Sequence, residues 1–211
     1  MLLIFLIIYQ AVAITNFNIN FRFSDEVEQK LIKFANDITE TYNFTNSIDF
    51  TKCAPHITLY LTQFEEQAIP NVITALANAL KSMRGCKMTM DEIYASGDYF
   101  MWRVVNDGCM QRHSNRVVEF TAQHRDMNYV IPDWVYNLPE GEERDKKIFY
   151  CEKFGSPNVF EGFDPHFTLI YADSTVVDLA KIVDDLMNGR VDIEIPTFDD
   201  LTSTKVSITL S

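Results

Sequence analysis

A seven-residue phrase occurs twice in this chain, and it constrains the fold more than any other feature. The first copy, PHITLYL, begins at Pro55, and the second, PHFTLIY, begins at Pro165. Both begin with alternating polar and apolar residues, which is typical of a strand that buries one face. Repetition about half a chain apart predicts an internal duplication, in which two similar units pack together.

The residues around each copy predict a similar order of helices and strands. Because several strand pairs read as hairpins, we expect antiparallel pairing and an α+β fold with two pseudo-symmetric lobes, outer helices and a central cleft. The lobes are predicted at 14–108 and 109–211, with room for strand exchange between them. The first half predicts strands at 16–23, 55–61, 87–95 and 99–105 and helices after Ser24 and at 69–83. The second predicts helices at 111–127 and 176–187, a loop at 132–144, and strands at 148–153, 165–171, 191–195 and 206–210.

Alternation along the repeated strands groups their polar residues. His56, Thr58 and Tyr60 are predicted to share one face of the first copy, and His166 and Thr168 one face of the second. If the apolar faces pack against helices, two imidazoles and two hydroxyls surround one cavity.

Such a set suits phosphodiester chemistry without a metal. Histidine titrates near neutral pH, so one ring can accept a proton from the attacking oxygen while the other protonates the leaving oxygen. Threonine hydroxyls can donate to the non-bridging phosphate oxygens, whereas they are poor zinc ligands. The chain is also acidic, with 18 basic and 30 acidic residues. A long basic track for nucleic acid is therefore not expected.

The segments His56-Ile57-Thr58-Leu59 and His166-Phe167-Thr168-Leu169 resemble the paired motifs of the two-histidine phosphoesterase superfamily. This superfamily includes the 2′-5′ RNA ligase-like and cyclic phosphodiesterase proteins, and the resemblance covers nearly all of residues 14–211. It implies a metal-independent and cofactor-free phosphodiesterase. Its substrate would be a nucleotide or short RNA end with a 2′,3′-cyclic or 2′-5′ phosphodiester. Separately from the resemblance, we expect a monomer, although the sequence does not decide the oligomeric state.

The same resemblance implies roles for the motif residues. His56 and His166 would be the acid–base pair, and Thr58 and Thr168 would hold the phosphate. We interpret His166 as the base and His56 as the acid, although the sequence does not decide the order. Some members of the superfamily carry a basic residue soon after a motif, and this chain has none there. Two alternatives stay open: a non-catalytic module that binds nucleotides or RNA ends, and a 2′-5′ RNA ligase.

Three further residues are candidates for substrate binding. Tyr60 could stack on a base or belong to the core. Trp102 and Arg103 are neighbours on a predicted strand and face opposite ways, so one of them lines the cleft; core packing is favoured for Trp102. The basic run at 111–125 is interpreted as a helix surface, with its histidines exposed.

Several features predict an exported protein. Residues 1–13 combine a short apolar segment with a small-x-small cleavage site, which indicates a signal peptide rather than a membrane anchor; the alternative is a buried N-terminal element. Asn43 begins the only glycosylation sequon. The four cysteines permit two disulfides in three connectivities, or four free thiols. We expect a protein that is secreted or lies in the lumen of the secretory pathway.

Overall fold

The structure is a computed structural model that describes residues 14–81 and 83–210. The predicted signal peptide at 1–13 lies outside the described residues. The strands are β1 (Ile14–Arg22), β2 (Ile57–Glu65), β3 (Met90–Ser96), β4 (Tyr99–Val104), β5 (His166–Tyr171) and β6 (Lys205–Leu210). The helices are α1 (Asp25–Thr41), α2 (Ile69–Leu80), α3 (Cys109–Thr121), α4 (Asp133–Tyr136), α5 (Glu142–Phe154) and α6 (Leu179–Met187).

The six strands form one antiparallel sheet in the order β3-β4-β5-β2-β1-β6. This confirms the predicted α+β class. The two strands that carry the repeated phrase, β2 and β5, are neighbours at the centre, where the only residue pair between them is Ile57 with Phe167. On either side lies a group of three strands, β2-β1-β6 and β5-β4-β3. Each group takes strands from both halves of the chain.

Helices α1, α2, α3, α5 and α6 contribute side chains to a single hydrophobic core with the apolar face of the sheet. Helix α1 packs over β5, α3 over β2 and α6 over β3. The Ser24 side chain caps α1 by accepting from the Val27 amide, and Leu31, Phe34 and Ile38 follow at helical spacing and are almost wholly buried. Each such side chain contributes about 1.5–3 kcal/mol by leaving water. Helix and strand packing therefore fixes which face of the sheet stays open.

Two predicted strands of the second half are wrong. Residues 148–153 belong to α5, which has three acidic residues in its first turn and ends at Gly155 with a positive φ of 69°. A short apolar run does not distinguish a strand from a helix segment. Here the acidic residues that precede the run favour a helix, because they stabilise its N-terminus. Residues 191–195 keep the predicted alternation, with Val191, Ile193 and Ile195 packed against the core, but they join no strand ladder.

Candidate active site

The four motif side chains come together around the central residue pair. Because Ile57 is paired with Phe167 in antiparallel register, the next positions place His56 opposite Thr168 and His166 opposite Thr58. Directly opposed residues have Cβ atoms about 4.5–5.5 Å apart, and diagonal ones about 7–8 Å. The two histidines thus occupy diagonal corners of a four-residue cluster with approximate two-fold symmetry.

This cluster lies on the open face of the sheet. Ile57 and Phe167 are fully buried on the helix-covered side. The two histidines and two threonines alternate with buried neighbours and are themselves only half-buried. Hence a ligand can reach all four side chains from one side.

Each motif strand contains a β-bulge at the leucine that follows its threonine. In β2, Thr58 is paired with Asn20 and Tyr60 with Ile19, so Leu59 is the extra residue. A bulge interrupts the alternation of side chains. Leu59 and Tyr60 consequently both point into the core, and Leu61, which follows them, is 42% exposed.

The same bulge recurs in the second motif at Leu169. Thr168 is paired with Met101 and Ile170 with Phe100, which leaves Leu169 without a partner. Ile170 is therefore buried like Leu169, and Tyr171 is 39% exposed on the open face. The duplication thus extends to an irregularity of the backbone.

The base-stacking role considered for Tyr60 is wrong in this structure. The ring is 1% exposed, and its hydroxyl donates to the carbonyl of Phe154. Burial raises the pKa of this phenol. Tyr60 is a core residue because the bulge turns it away from the face that carries His56.

Both histidines are held in the same way. The Nδ1 atom of His56 lies 2.9 Å from the carbonyl oxygen of Ala54, and that of His166 lies 2.8 Å from the carbonyl oxygen of Asp164. A carbonyl oxygen only accepts, so each Nδ1 carries the proton of the neutral ring. The Nε2 atom of each ring is then the one that can exchange a proton with a substrate.

Burial lowers the pKa of both histidines. For His56 the other lowering influences are the charges of Arg22 and His166, opposed by the Ala54 carbonyl. For His166, Arg103 adds to the lowering, while the Asp164 carbonyl and carboxylate oppose it. Titratable groups whose pKa values are shifted by burial together with a charged neighbour are found more often at functional sites than elsewhere.

Two arginines flank the histidines on the open face. Arg103 on β4 is paired with His166, and Arg22 follows Phe21, the partner of Ile57, at the equivalent position beside His56. The guanidinium of Arg22 binds both carboxylate oxygens of Glu28 at 2.8 and 2.7 Å. That of Arg103 binds Asp164 at 3.0 Å and Glu92 at 2.7 Å and lies 4.3 Å from the centre of the Tyr94 ring. Two basic side chains on neighbouring strands thus lie beside the motif histidines.

Of the adjacent pair Trp102 and Arg103, only Arg103 reaches the open face. Trp102 is 4% exposed, packs at 5.6 Å from the Phe34 ring and donates its indole N–H to the Asp91 carbonyl. It is therefore a core residue and not a substrate-binding one. Aromatic residues that do lie on the open face include Tyr94, whose ring centre is 6.4 Å from that of His166, and the cross-strand partners Tyr171 and Tyr99, with ring centres 5.0 Å apart.

Sequence reasoning missed Arg22, Asn18 and the Tyr99–Tyr171 pair. Asn18 and Arg22 stood in the polar positions of an alternating strand, and their pattern resembled that of an ordinary solvated face. Asn18 is in fact 6% exposed, and its amide nitrogen lies 2.9 Å from the Thr58 hydroxyl and 3.1 Å from His56 Nε2. Pairing β1 with β2 in antiparallel register would have placed both residues beside the first motif.

The cysteines form one disulfide, between Cys86 and Cys109, while Cys53 and Cys151 are free. His113 lies against this disulfide, with Nδ1 3.6 Å from Cys86 Sγ. The predicted exposure of His113 is wrong, since it is 8% exposed. These three side chains have the ligand types of a zinc site, but the disulfide leaves no thiolate to bind a metal.

Other features lie away from the motif cluster. Two cavities among the described residues, of about 460 and 350 Å³, are lined mainly by charged side chains of α5 and α1 and include neither motif histidine. Asn43 is exposed, just after α1. In residues 14–81 and 83–210 no helix is both long and apolar enough to cross a membrane.

Comparison of the chain with models of known protein families gives no match, and comparison with curated proteins gives none either.

Proposed function

We propose that this chain is a two-histidine phosphodiesterase that hydrolyses a 2′,3′-cyclic or 2′-5′ phosphodiester of a nucleotide or short RNA end without a metal. One observation carries the proposal: two His-x-Thr segments lie side by side on one open face, related by approximate two-fold symmetry about Ile57 and Phe167. Acid–base catalysis of phosphoryl transfer needs two proton-exchanging groups on opposite sides of one phosphorus atom. Histidines at diagonal corners of the cluster, each with Nδ1 held by a backbone carbonyl and Nε2 left for proton exchange, would meet this requirement.

A phosphate between the two rings would also be held by donors. The Thr58 and Thr168 hydroxyls can donate to the non-bridging oxygens as charge develops on them. Arg22 and Arg103 place guanidinium groups beside the histidines; each is already paired with carboxylates, and its remaining N–H donors would bind the phosphate oxygens. The whole chain has a formal net charge of −12, so phosphate binding would be confined to this cluster. This suits a small substrate with one phosphodiester.

The reaction would proceed by in-line displacement. The neutral histidine takes a proton from water as the water oxygen forms a bond to phosphorus, and the P–O bond to the leaving sugar oxygen breaks. The protonated histidine gives its Nε2 proton to that oxygen. The products are a phosphomonoester and a free hydroxyl, and the two rings regain their starting protonation by exchange with solvent.

The exposed Tyr99–Tyr171 pair offers a surface for the nucleobase. Tyr171 is three residues beyond Thr168 on the same strand, a distance of about 10 Å at most. Stacking of a base on an aromatic ring is worth about 1–3 kcal/mol and tolerates different bases. This supports a nucleotide substrate. Stacking on these rings would not discriminate between different bases.

The proposal includes export from the cytosol. The Cys86–Cys109 disulfide supports it, because such bonds persist in oxidising compartments. The exposed Asn43 at the start of the sequon and the predicted signal peptide at 1–13 point the same way.

The test is turnover of 2′,3′-cyclic mononucleotides and 2′-5′ dinucleotides by purified protein in the presence of EDTA. We expect His56→Gln and His166→Gln each to lower kcat/KM by about 10²–10⁴-fold. His124→Gln, a matched change outside the motif cluster, should leave it unchanged. Full activity in either motif variant, or loss of activity in EDTA, would remove the proposed mechanism. Saturable binding of these nucleotides without turnover would identify the protein as a binding module instead.

A further inference from the structure

The two halves of the motif cluster differ in what lies beside the reactive nitrogens. Asn18 donates toward His56 Nε2 at 3.1 Å and toward Thr58 Oγ1 at 2.9 Å. The residue at the equivalent position in the second half is Tyr99, since Asn18 is paired with Leu61 as Tyr99 is with Tyr171. Among the described residues, no side chain hydrogen-bonds to Nε2 of His166. The approximate symmetry is therefore broken at the atoms that move protons.

The orientation of the Asn18 amide is set by its buried neighbour Asn20. The Asn20 amide nitrogen lies 3.1 Å from the Asn18 backbone oxygen and 3.4 Å from its side-chain oxygen Oδ1. Because Asn18 Oδ1 accepts from Asn20, the Asn18 amide nitrogen is the end that faces His56.

Strand β6 in turn fixes Asn20, which is fully buried. Ser207 donates to Asn20 Oδ1 at 2.8 Å, and the Asn20 amide nitrogen lies 3.0 Å from Thr209 Oγ1. A chain of hydrogen bonds thus runs from the edge strand to the ring of His56. Buried polar networks with every member paired hold one arrangement of donors and acceptors.

An amide N–H directed at Nε2 suits a neutral ring and opposes its protonation. The lone pair on Nε2 accepts from Asn18, whereas a proton at Nε2 would meet another N–H. The charged or titratable groups that face His56 are Arg22 on β1, Glu28 on α1, Cys53 in the preceding loop and His166 on β5. Asn18 is the only one of its neighbours that hydrogen-bonds to Nε2 among the described residues.

We infer that Asn18 is a positioning residue that keeps His56 neutral and so makes it the general base, which leaves His166 as the general acid. This rests on the proposed function and reverses the order of roles interpreted from the sequence. In the reaction, the incoming water replaces Asn18 as the partner of Nε2. Its proton passes to His56 Nε2, its oxygen bonds to phosphorus, and His166 Nε2 protonates the leaving oxygen.

The first experiment needs no substrate. Long-range ¹H–¹⁵N correlation spectra of labelled protein, recorded through a pH titration, report the tautomer and titration midpoint of each ring. We expect neutral His56 to carry its proton on Nδ1. In Asn18→Asp a carboxylate replaces the amide, and the His56 midpoint should rise by about one pH unit or more. Asn16→Asp, an exposed site two residues earlier on the same strand, adds the same charge and should move the midpoint far less.

The second experiment identifies the roles. If His56 is the base, Asn18→Asp moves the acidic limb of the kcat/KM profile to higher pH and leaves the alkaline limb in place. A shift of the alkaline limb would assign His56 as the acid and overturn the inference. An unchanged His56 midpoint, or neutral His56 protonated on Nε2, would also overturn it. Asn18→Ala, which removes the donor to Nε2, provides the measurement should Asn18→Asp not fold, and the His56 midpoint should then also rise. Absence of turnover in the wild-type protein would count against the proposed function alone.

Discussion

Arg103 on β4 is the cross-strand partner of His166 on β5. On the other side of the central pair, Arg22 stands in the same relation to His56, one residue beyond the Phe21–Ile57 pair. Each arginine is held by carboxylates: Glu28 for Arg22, and Asp164 with Glu92 for Arg103. The guanidinium groups are therefore fixed before any phosphate arrives, and little side-chain freedom is lost when it binds.

Replacing Arg103 by Gln should weaken catalysis. The variant loses a positive charge beside the phosphate, and we expect kcat/KM for a cyclic nucleotide to fall by about 10²-fold. The control is Arg112→Gln, the same change at an exposed position of α3. Steady-state kinetics of both variants test this prediction. Equal values of kcat/KM for the two variants would exclude Arg103 from the site.

The rate should depend on pH with an optimum on the acidic side of histidine's ordinary pKa of about 6.5. Burial lowers the pKa of both His56 and His166 in the free protein. As pH rises through these lowered values the acid loses its proton, and as pH falls the base gains one, so kcat/KM has a maximum below about pH 6.5. A bound phosphate anion favours the protonated rings, so the kcat profile should lie at higher pH. A profile without an acidic limb would contradict the assignment.

Substitution of Tyr60 should lower stability, whereas substitution of Tyr171 should weaken substrate binding. Tyr60→Phe removes the hydroxyl that donates to the Phe154 carbonyl, and should lower the free energy of unfolding by about 1 kcal/mol with no change in KM. Tyr171→Ala removes an exposed ring and should raise KM by about 10-fold, with a smaller effect on stability. Urea unfolding and steady-state kinetics measure the two effects. A raised KM in Tyr60→Phe would return that residue to the binding site.

Thiol counting tests the disulfide. Alkylation of the denatured, unreduced protein should label two cysteines, Cys53 and Cys151, and peptide mass spectrometry should find Cys86 joined to Cys109. The bond closes a loop with a sequence separation of 23, so Cys86→Ala with Cys109→Ala should cost about 3 kcal/mol in the free energy of unfolding. Labelling of all four cysteines would contradict the pairing and weaken the case for export.

Several errors in the sequence analysis have one physical origin, the bulges at Leu59 and Leu169. Strict alternation placed Tyr60 beside His56, but an extra residue in each strand moves the following side chains to the other face. A bulge depends on how the partner strand pairs, and that information lies far away in the chain. The misassigned strand at 148–153 has a different cause, because six residues do not separate the periods of helix and strand.

The sequence by itself determined the α+β class, the repeated His-x-Thr strands and the grouping of each histidine with its threonine, because these follow from local periodicity. Only the tertiary structure decided that β2 and β5 lie side by side, that Arg22, Arg103 and Asn18 join the motif residues, and that Tyr60 and Trp102 belong to the core. These relationships depend on strand order and register. Contacts between residues distant in sequence set both, and no local pattern encodes them.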